Sequence, residues 1–173
     1  GCAVARELAQ YDLKVALVER AADVASNAAV LDTAVVHPGL ECLKGSIKSR
    51  LTLQGSVQME AFCNQLGVPY EPLPAMVLAS SEEERTGLQQ LLDWGRSLGV
   101  EGLGLKSRAW ALEREPGLPE TVQQVLSIPG CGLVSQRAMA EALIHDAIES
   151  GAEVLSGWQV DQVRWQAGIF IAV

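Results

Sequence analysis

The chain begins with a helix and a strand joined by a short turn, and an acid ends the strand. Gly1 opens GCAVARELAQ, where Ala3, Val4, Leu8 and Ala9 recur at helical spacing. Tyr11 and Asp12 form the turn. Lys14 to Val18 (KVALV) is a compact apolar run of strand length, and Glu19 closes it. A helix run straight into a short apolar strand points to an α/β fold.

In a Rossmann unit, Gly-x-Gly-x-x-Gly runs from a first strand into a helix, and an acid stands at the tip of the second strand about 20 residues on. Gly1 fits the last of those glycines, where a bare Cα lets helix and strand pack closely. Glu19 fits the carboxylate that accepts hydrogen bonds from an adenosine ribose. The chain carries no first strand, no first two glycines and no initiator Met. It is therefore expected to be cut short at this end. The Gly1–Glu19 pair by itself suits an NAD protein as well as an FAD protein.

The net charge is −8 and the thirteen basic residues are scattered. That argues against nucleic acid, because neutralising phosphates needs clustered Lys and Arg. No apolar run approaches the roughly 20 residues that span a bilayer. The four cysteines, Cys2, Cys42, Cys63 and Cys131, include no C-x-x-C pair. No metal site is expected, and the thiols read as reduced and mostly buried in a cytoplasmic protein.

Arg20 to Gly45 is long and irregular. Ile47 to Leu66 has a helical pattern, with Ile47, Leu51, Val57, Phe62 and Leu66 on or near one face and Gly67 as the stop. Val68 to Ala79 is extended, with Pro72 and Pro74 suggesting an edge. Ser80 and Glu83 predict a capping box for a helix from Ser81 to Leu98, with a stripe of Leu88, Leu91, Leu92 and Leu98. Ser107 to Glu115 reads as a short helix, and Val125 to Ile128 and Gly132 to Val134 as strands. Ser135 caps a helix to Ser150, with Met139, Leu143, Ala147 and Ile148 inward and Gly151 just past its end. Glu153 to Leu155 and Trp158 to Trp165 read as strands. Gln166-Ala167-Gly168 is a turn into Ile169 to Val173 (IFIAV), an apolar strand expected to lack a partner. The tryptophans Trp94, Trp110, Trp158 and Trp165 are expected to be packing residues, and His145 a structural or surface residue.

These segments together resemble the FAD-dependent oxidoreductases of the glycerol-3-phosphate dehydrogenase and 2-hydroxyglutarate dehydrogenase type, within the D-amino-acid-oxidase-like superfamily. GCAVARELAQYDLKVALVERAADVAS is similar to that family's N-terminal FAD signature. TAVVHPG stands where the family carries a small-residue, two-aliphatic, His-x-Gly element beside the flavin. LKGSIKSRLTLQG resembles its next helix, and PGCGLVSQRAMAEALIHDAIESGAEVL its return segment.

The resemblance implies a truncated Rossmann-like FAD-binding domain with an inserted piece of an α+β substrate domain. Residues 1–66 would be FAD-binding domain, 67–129 the inserted substrate or cap segment, and 130–173 the FAD-binding domain continued. FAD is the implied cofactor. Its implied contacts are Gly1, Glu19, Arg20, Ser26, Asn27, Thr33, His37 and Val160, with the main chain of Trp158 to Val160 against adenine. A helix N-terminus suits the pyrophosphate. A 2′-phosphate would be repelled by Glu19, which disfavours NADP.

His37 is the implied catalytic residue, taking up the alcohol proton. Lys48 and Arg50 could meet an anionic substrate, although a solvated helix face also explains them. The implied reaction is hydride transfer from a small hydroxy acid or polyol phosphate to FAD. The electron acceptor is left open among quinone, oxygen and a partner protein. The implied location is the cytoplasm, with a peripheral membrane position open to the full-length parent. The chain alone is expected to be inactive.

The chain also departs from the family pattern. Residues 27–34 (NAAVLDTA) replace a loop usually rich in donors, Asp32 would bring negative charge near a phosphate, and Pro38 follows the His. These departures suit a second reading, a degenerate module that keeps only the fold, and the Gly1–Glu19 pair suits a third, an NAD-binding dehydrogenase domain. The segment Gly67 to Pro129 disfavours the latter, because it interrupts the Rossmann repeat.

Overall fold

The computed structural model describes residues 1–25 and 33–173. They form two compact units. The first comprises Gly1–Ala34, Gln65–Val68 and Ser135–Val173, and the second Val35–Asn64 and Pro69–Val134.

In the first unit, α1 (Cys2–Leu8) leads to β1 (Ala16–Glu19), and α5 (Gln136–Glu149) leads to β8 (Glu153–Ser156). The strands pair in parallel, from Ala16 opposite Glu153 to Glu19 opposite Ser156. Gly1 is the N-cap of α1, as expected. A Cβ at Gly1 would stand 3.1 Å from Leu17 Cδ1, a tight contact between the start of the helix and the strand.

The buried face of α1 is not the predicted one. Of that face Ala9 is buried, but Ala3, Val4 and Leu8 are exposed, and Ala5 is buried in their place. Small residues allow α1 to lie close to α5, and Ala9 joins Ala147 and Ala152 in one cluster with Val15. The Arg6 guanidinium pairs with Asp146 across the two helices. On α5, Ser135 accepts from Ala138 N at 3.2 Å, the cap predicted. Gly151 follows in a left-handed conformation at φ 93°. Ile144, not Ile148, joins Leu143 and Ala147 in burial, because the inward stripe is rotated toward its neighbours.

The last two strands are β9 (Val163–Gln166) and β10 (Ile169–Ala172). They form an antiparallel hairpin through Ala167 and Gly168, both at positive φ. IFIAV therefore has a partner. The rings of Trp165 and Phe170, directly opposite, lie 4.7 Å apart. Trp158 to Gln162 is irregular where a strand was expected, and Trp158 and Trp165 are exposed rather than packed.

In the second unit, β4 (Ala75–Ala79) and β5 (Gly104–Ser107) flank β6 (Gln124–Ile128), all antiparallel. Successive side chains on β6 point to opposite faces. Leu126 enters a core with Leu88 and Leu92 of α3 (Glu82–Leu98), Leu40, Val100 and Leu103. Val125 enters a second cluster with Ala111 of α4 (Arg108–Leu112) and Val122. Trp94 packs against the first cluster and Trp110 against the second. The other sheet orders β2 (Val35–Val36), β7 (Gly132–Val134) and β3 (Tyr70–Pro72). Tyr70 crosses Gly132 so closely that a Cβ there would meet its ring at 2.4 Å.

The predicted helix over 47–66 is α2 (Ile47–Leu66), stopped by Gly67 at φ 66°. Its buried residues are Ser49 and Cys63, while Ile47, Leu51 and Val57 are exposed. The α3 cap lies one residue later than expected. Ser81 Oγ accepts from Glu84 N at 3.2 Å, and the Glu84 carboxylate accepts from Ser80 N. Three acids follow in the first turn, so a one-residue shift keeps the same chemistry. Ser81→Ala is expected to cost about 1 kcal/mol by urea denaturation, and an unchanged midpoint would contradict the cap. No described cysteine is in a disulfide; Cys42, Cys63 and Cys131 are buried. Burial pushes the Cys63 and Cys131 thiols up.

Candidate cofactor site

Glu19 stands at the carboxyl end of β1, beside the carboxyl end of β8. In open parallel sheets, ligands bind in the crevice outside these ends. The chain leaving β8 is tied to the chain leaving β1: Gly157 N donates to Ala21 O at 3.0 Å and Trp158 N to Glu19 O at 3.1 Å. The result is an open cleft of about 420 Å³ lined by Val18, Glu19, Arg20, Trp158, Gln159 and Val160. Three predicted contacts, Glu19, Arg20 and Val160, thus line one cleft.

Within it, Glu19 Oε1 accepts from Ala21 N at 2.8 Å. This bond ties the carboxylate back to its own chain two residues on. The segment after Glu19 is held from α5. Asp23 accepts from Ala25 N at 2.9 Å and from Arg137 Nη2 at 2.8 Å, and Arg137 also meets Glu141 at 2.9 Å. The Ala25 amide is the main cause that holds the Asp23 carboxyl below its usual range, with Arg137 adding to it against a desolvation penalty. Sequence reading passed over this pair, which joins positions 114 apart with no local signature.

Ser26, Asn27 and Asp32 lie outside the described residues. Thr33 is described and exposed. His37 belongs to the second unit. Its Nδ1 lies 2.8 Å from Glu41 Oε1 and 3.2 Å from Gly39 N. Sequence reading did not single out Glu41. His145 is a surface residue on α5, 3.3 Å from Glu149. Lys48 and Arg50 are exposed on α2. Among the described residues no three His, Cys, Asp or Glu side chains converge as metal ligands, and no helix is long and apolar enough to cross a membrane.

The model of one protein family, described as FAD dependent oxidoreductase, matches residues 1–173, the whole of this sequence. The chain belongs to that family. Among curated relatives of this family member, a glycerol 3-phosphate dehydrogenase from Caloramator mitchellensis is 31% identical over 162 residues, covering 93% of the chain and 34% of the relative. A mitochondrial L-2-hydroxyglutarate dehydrogenase from Bos taurus is 28% identical over 155 residues, covering 88% and 32%. The family member thus spans about a third of the length of these relatives.

Among solved structures, an FAD-bound L-alpha-glycerophosphate oxidase from Mycoplasma pneumoniae superposes with a TM-score of 0.92 at 23% identity, over 99% of the chain and 46% of the other. A glycine oxidase from Geobacillus kaustophilus gives 0.88 at 27%, over 99% and 48%. The expected α/β, Rossmann-like fold is the one observed, and the NAD reading gives way to the flavoprotein family.

Proposed function

We propose that the protein carrying this sequence binds FAD with its adenosine end in the Glu19 cleft and oxidises a small anionic alcohol, a hydroxy acid or a polyol phosphate. The observation that carries the reading is the placement of Glu19 at the carboxyl end of a parallel strand, facing the Trp158–Val160 main chain across one cleft. The bare Cα of Gly1 against Leu17 supports it as the close-packing glycine of the motif. The alcohol class follows from the two relatives' names.

In this reading Glu19 accepts from the ribose hydroxyls and repels a 2′-phosphate. Arg20 and the main chain near Val160 border the adenosine. Gly1, Ser26, Asn27 and Thr33 are assigned to the phosphate side by the family resemblance. When bound, FAD supplies the hydride acceptor. His37 takes the hydroxyl proton, so the alcohol loses both hydrogens without building up an alkoxide. Residues 67–129 are assigned to the substrate side. The free thiols suit a reducing compartment, hence the cytoplasm, and the electron acceptor is a quinone, oxygen or a partner protein.

The test is anaerobic. With FAD bound, glycerol 3-phosphate or 2-hydroxyglutarate should bleach the flavin's visible band; no bleaching by either would reject this substrate class. His37→Gln should lower kcat about 100-fold with flavin content unchanged. A variant that retains wild-type kcat would remove His37 from the proton transfer.

A further inference from the structure

We infer that Glu41 is a positioning residue for His37, selecting the tautomer whose Nε2 carries the lone pair. The inference rests on the proposed role of His37 as the group that takes the alcohol proton.

Two groups compete for one atom. Gly39 N stands 3.2 Å from His37 Nδ1 and Glu41 Oε1 stands 2.8 Å from it. A neutral imidazole has one N–H and one lone pair. If Nδ1 holds the lone pair, it accepts from Gly39 N, but it then faces a carboxylate oxygen at contact distance. If Nδ1 holds the proton, it donates to the carboxylate, and a charge-assisted bond replaces that repulsion. The carboxylate is the stronger partner, so Nδ1–H is the selected form. Nε2 is then the free base.

The turn that brings Glu41 back to the ring is fixed by packing. Pro38, Gly39 and Leu40 are buried between the exposed Glu41 and the half-buried His37. Gly39 sits at φ 76°, and a Cβ there would stand 3.0 Å from Thr52 Cβ of α2. Cys42 N donates to Gly39 O at 3.1 Å, closing the turn. Leu40 anchors it in the α3 core. The His145–Glu149 pair on α5 differs in its histidine, which is 75% exposed against 39% for His37, and in its longer contact of 3.3 Å. A supporting shell of this kind holds a functional side chain in one geometry.

With FAD bound, the flavin would supply the two-electron hydride acceptor for the carbinol C–H, and His37 Nε2 would take the hydroxyl proton as the C–O bond becomes the product carbonyl. The Glu41 carboxylate, 2.8 Å from Nδ1, would stabilise the imidazolium that forms.

The experiment compares the protein with its Glu41→Gln, Glu41→Ala and His37→Gln variants. Glu41 is 63% exposed, so neither replacement disturbs a core. Two-bond ¹⁵N–¹H spectra at a pH where the imidazoles are neutral read the tautomer without any turnover. The His37 signals are identified by their loss in His37→Gln. The expected result is the Nδ1–H pattern in the unaltered protein and a shift toward Nε2–H in Glu41→Ala, with Glu41→Gln in between. In the loaded enzyme, Glu41→Ala should lower kcat about tenfold at unchanged KM, less than the ~100-fold expected of His37→Gln. An unchanged tautomer in Glu41→Ala overturns the inference, as does an altered tautomer with unchanged kcat. If His37→Gln itself keeps full kcat, the base assignment under the proposed function has failed, and this inference falls with it.

Discussion

Leu126→Ala is expected to destabilise the second unit by about 2–5 kcal/mol, a large part of the ~5–15 kcal/mol that holds a typical domain folded. Leu126 is fully buried on the middle strand of its sheet, with α3 over its face and β4 and β5 on either side. Truncation would leave a cavity in the cluster it shares with Leu88, Leu92 and Leu103. The surroundings have little room to collapse, because Val125 pins the same strand to the opposite cluster. Gly95 tightens the site further, since a Cβ there would already lie 2.3 Å from Leu103 Cδ1. The check is the urea midpoint at unchanged slope, with Val57→Ala as an exposed control expected to change stability by less than ~0.5 kcal/mol. A Leu126→Ala loss as small as the control's would mean that the core is not centred on β6.

Element ends were legible where a local rule sets them. Ser135 caps α5, Gly67 and Gly99 stop α2 and α3, and the α2 bounds agree with the structure to the residue. Helix faces were less legible, because burial is decided by what packs against a helix. Val4 and Leu8 are the larger apolar residues of α1, yet Ala5 and Ala9 are buried because close approach to α5 favours small side chains. Strand β5 escaped notice: GLKS has no alternation of its own, and its partner on β6 lies about 20 residues further on.

The site divides in the same way. The place of Glu19 at a strand end was legible from motif spacing, and the Trp158–Val160 stretch came from the family resemblance; both line one cleft beyond β1 and β8. Asp23–Arg137 and His37–Glu41 were not. The first depends on a long-range approach. The second depends on a turn at Gly39 that composition does not announce. Family likeness adds the cofactor class, and the 0.92 TM-score adds the fold.

The central claim is that Glu19 holds the ribose of FAD, and FAD affinity tests it most directly. Two hydroxyl donors to one fixed carboxylate are charge-assisted bonds, each worth about 1.5–3 kcal/mol. Part of that returns when the vacated cleft hydrates. A net loss near 2 kcal/mol corresponds to roughly 30-fold weaker binding. Glu19→Ala also removes the acceptor of the Ala21 amide, so the far-UV spectrum and urea midpoint of each variant are compared with those of the unaltered protein. The measurement is an FAD titration, followed by quenching of flavin fluorescence, of the unaltered protein, Glu19→Ala and Glu19→Gln. The account predicts saturable binding by the unaltered protein, weakening of roughly 30-fold in Glu19→Ala and a smaller loss in Glu19→Gln. Equal affinity in all three, or no flavin binding by the unaltered protein, would contradict it.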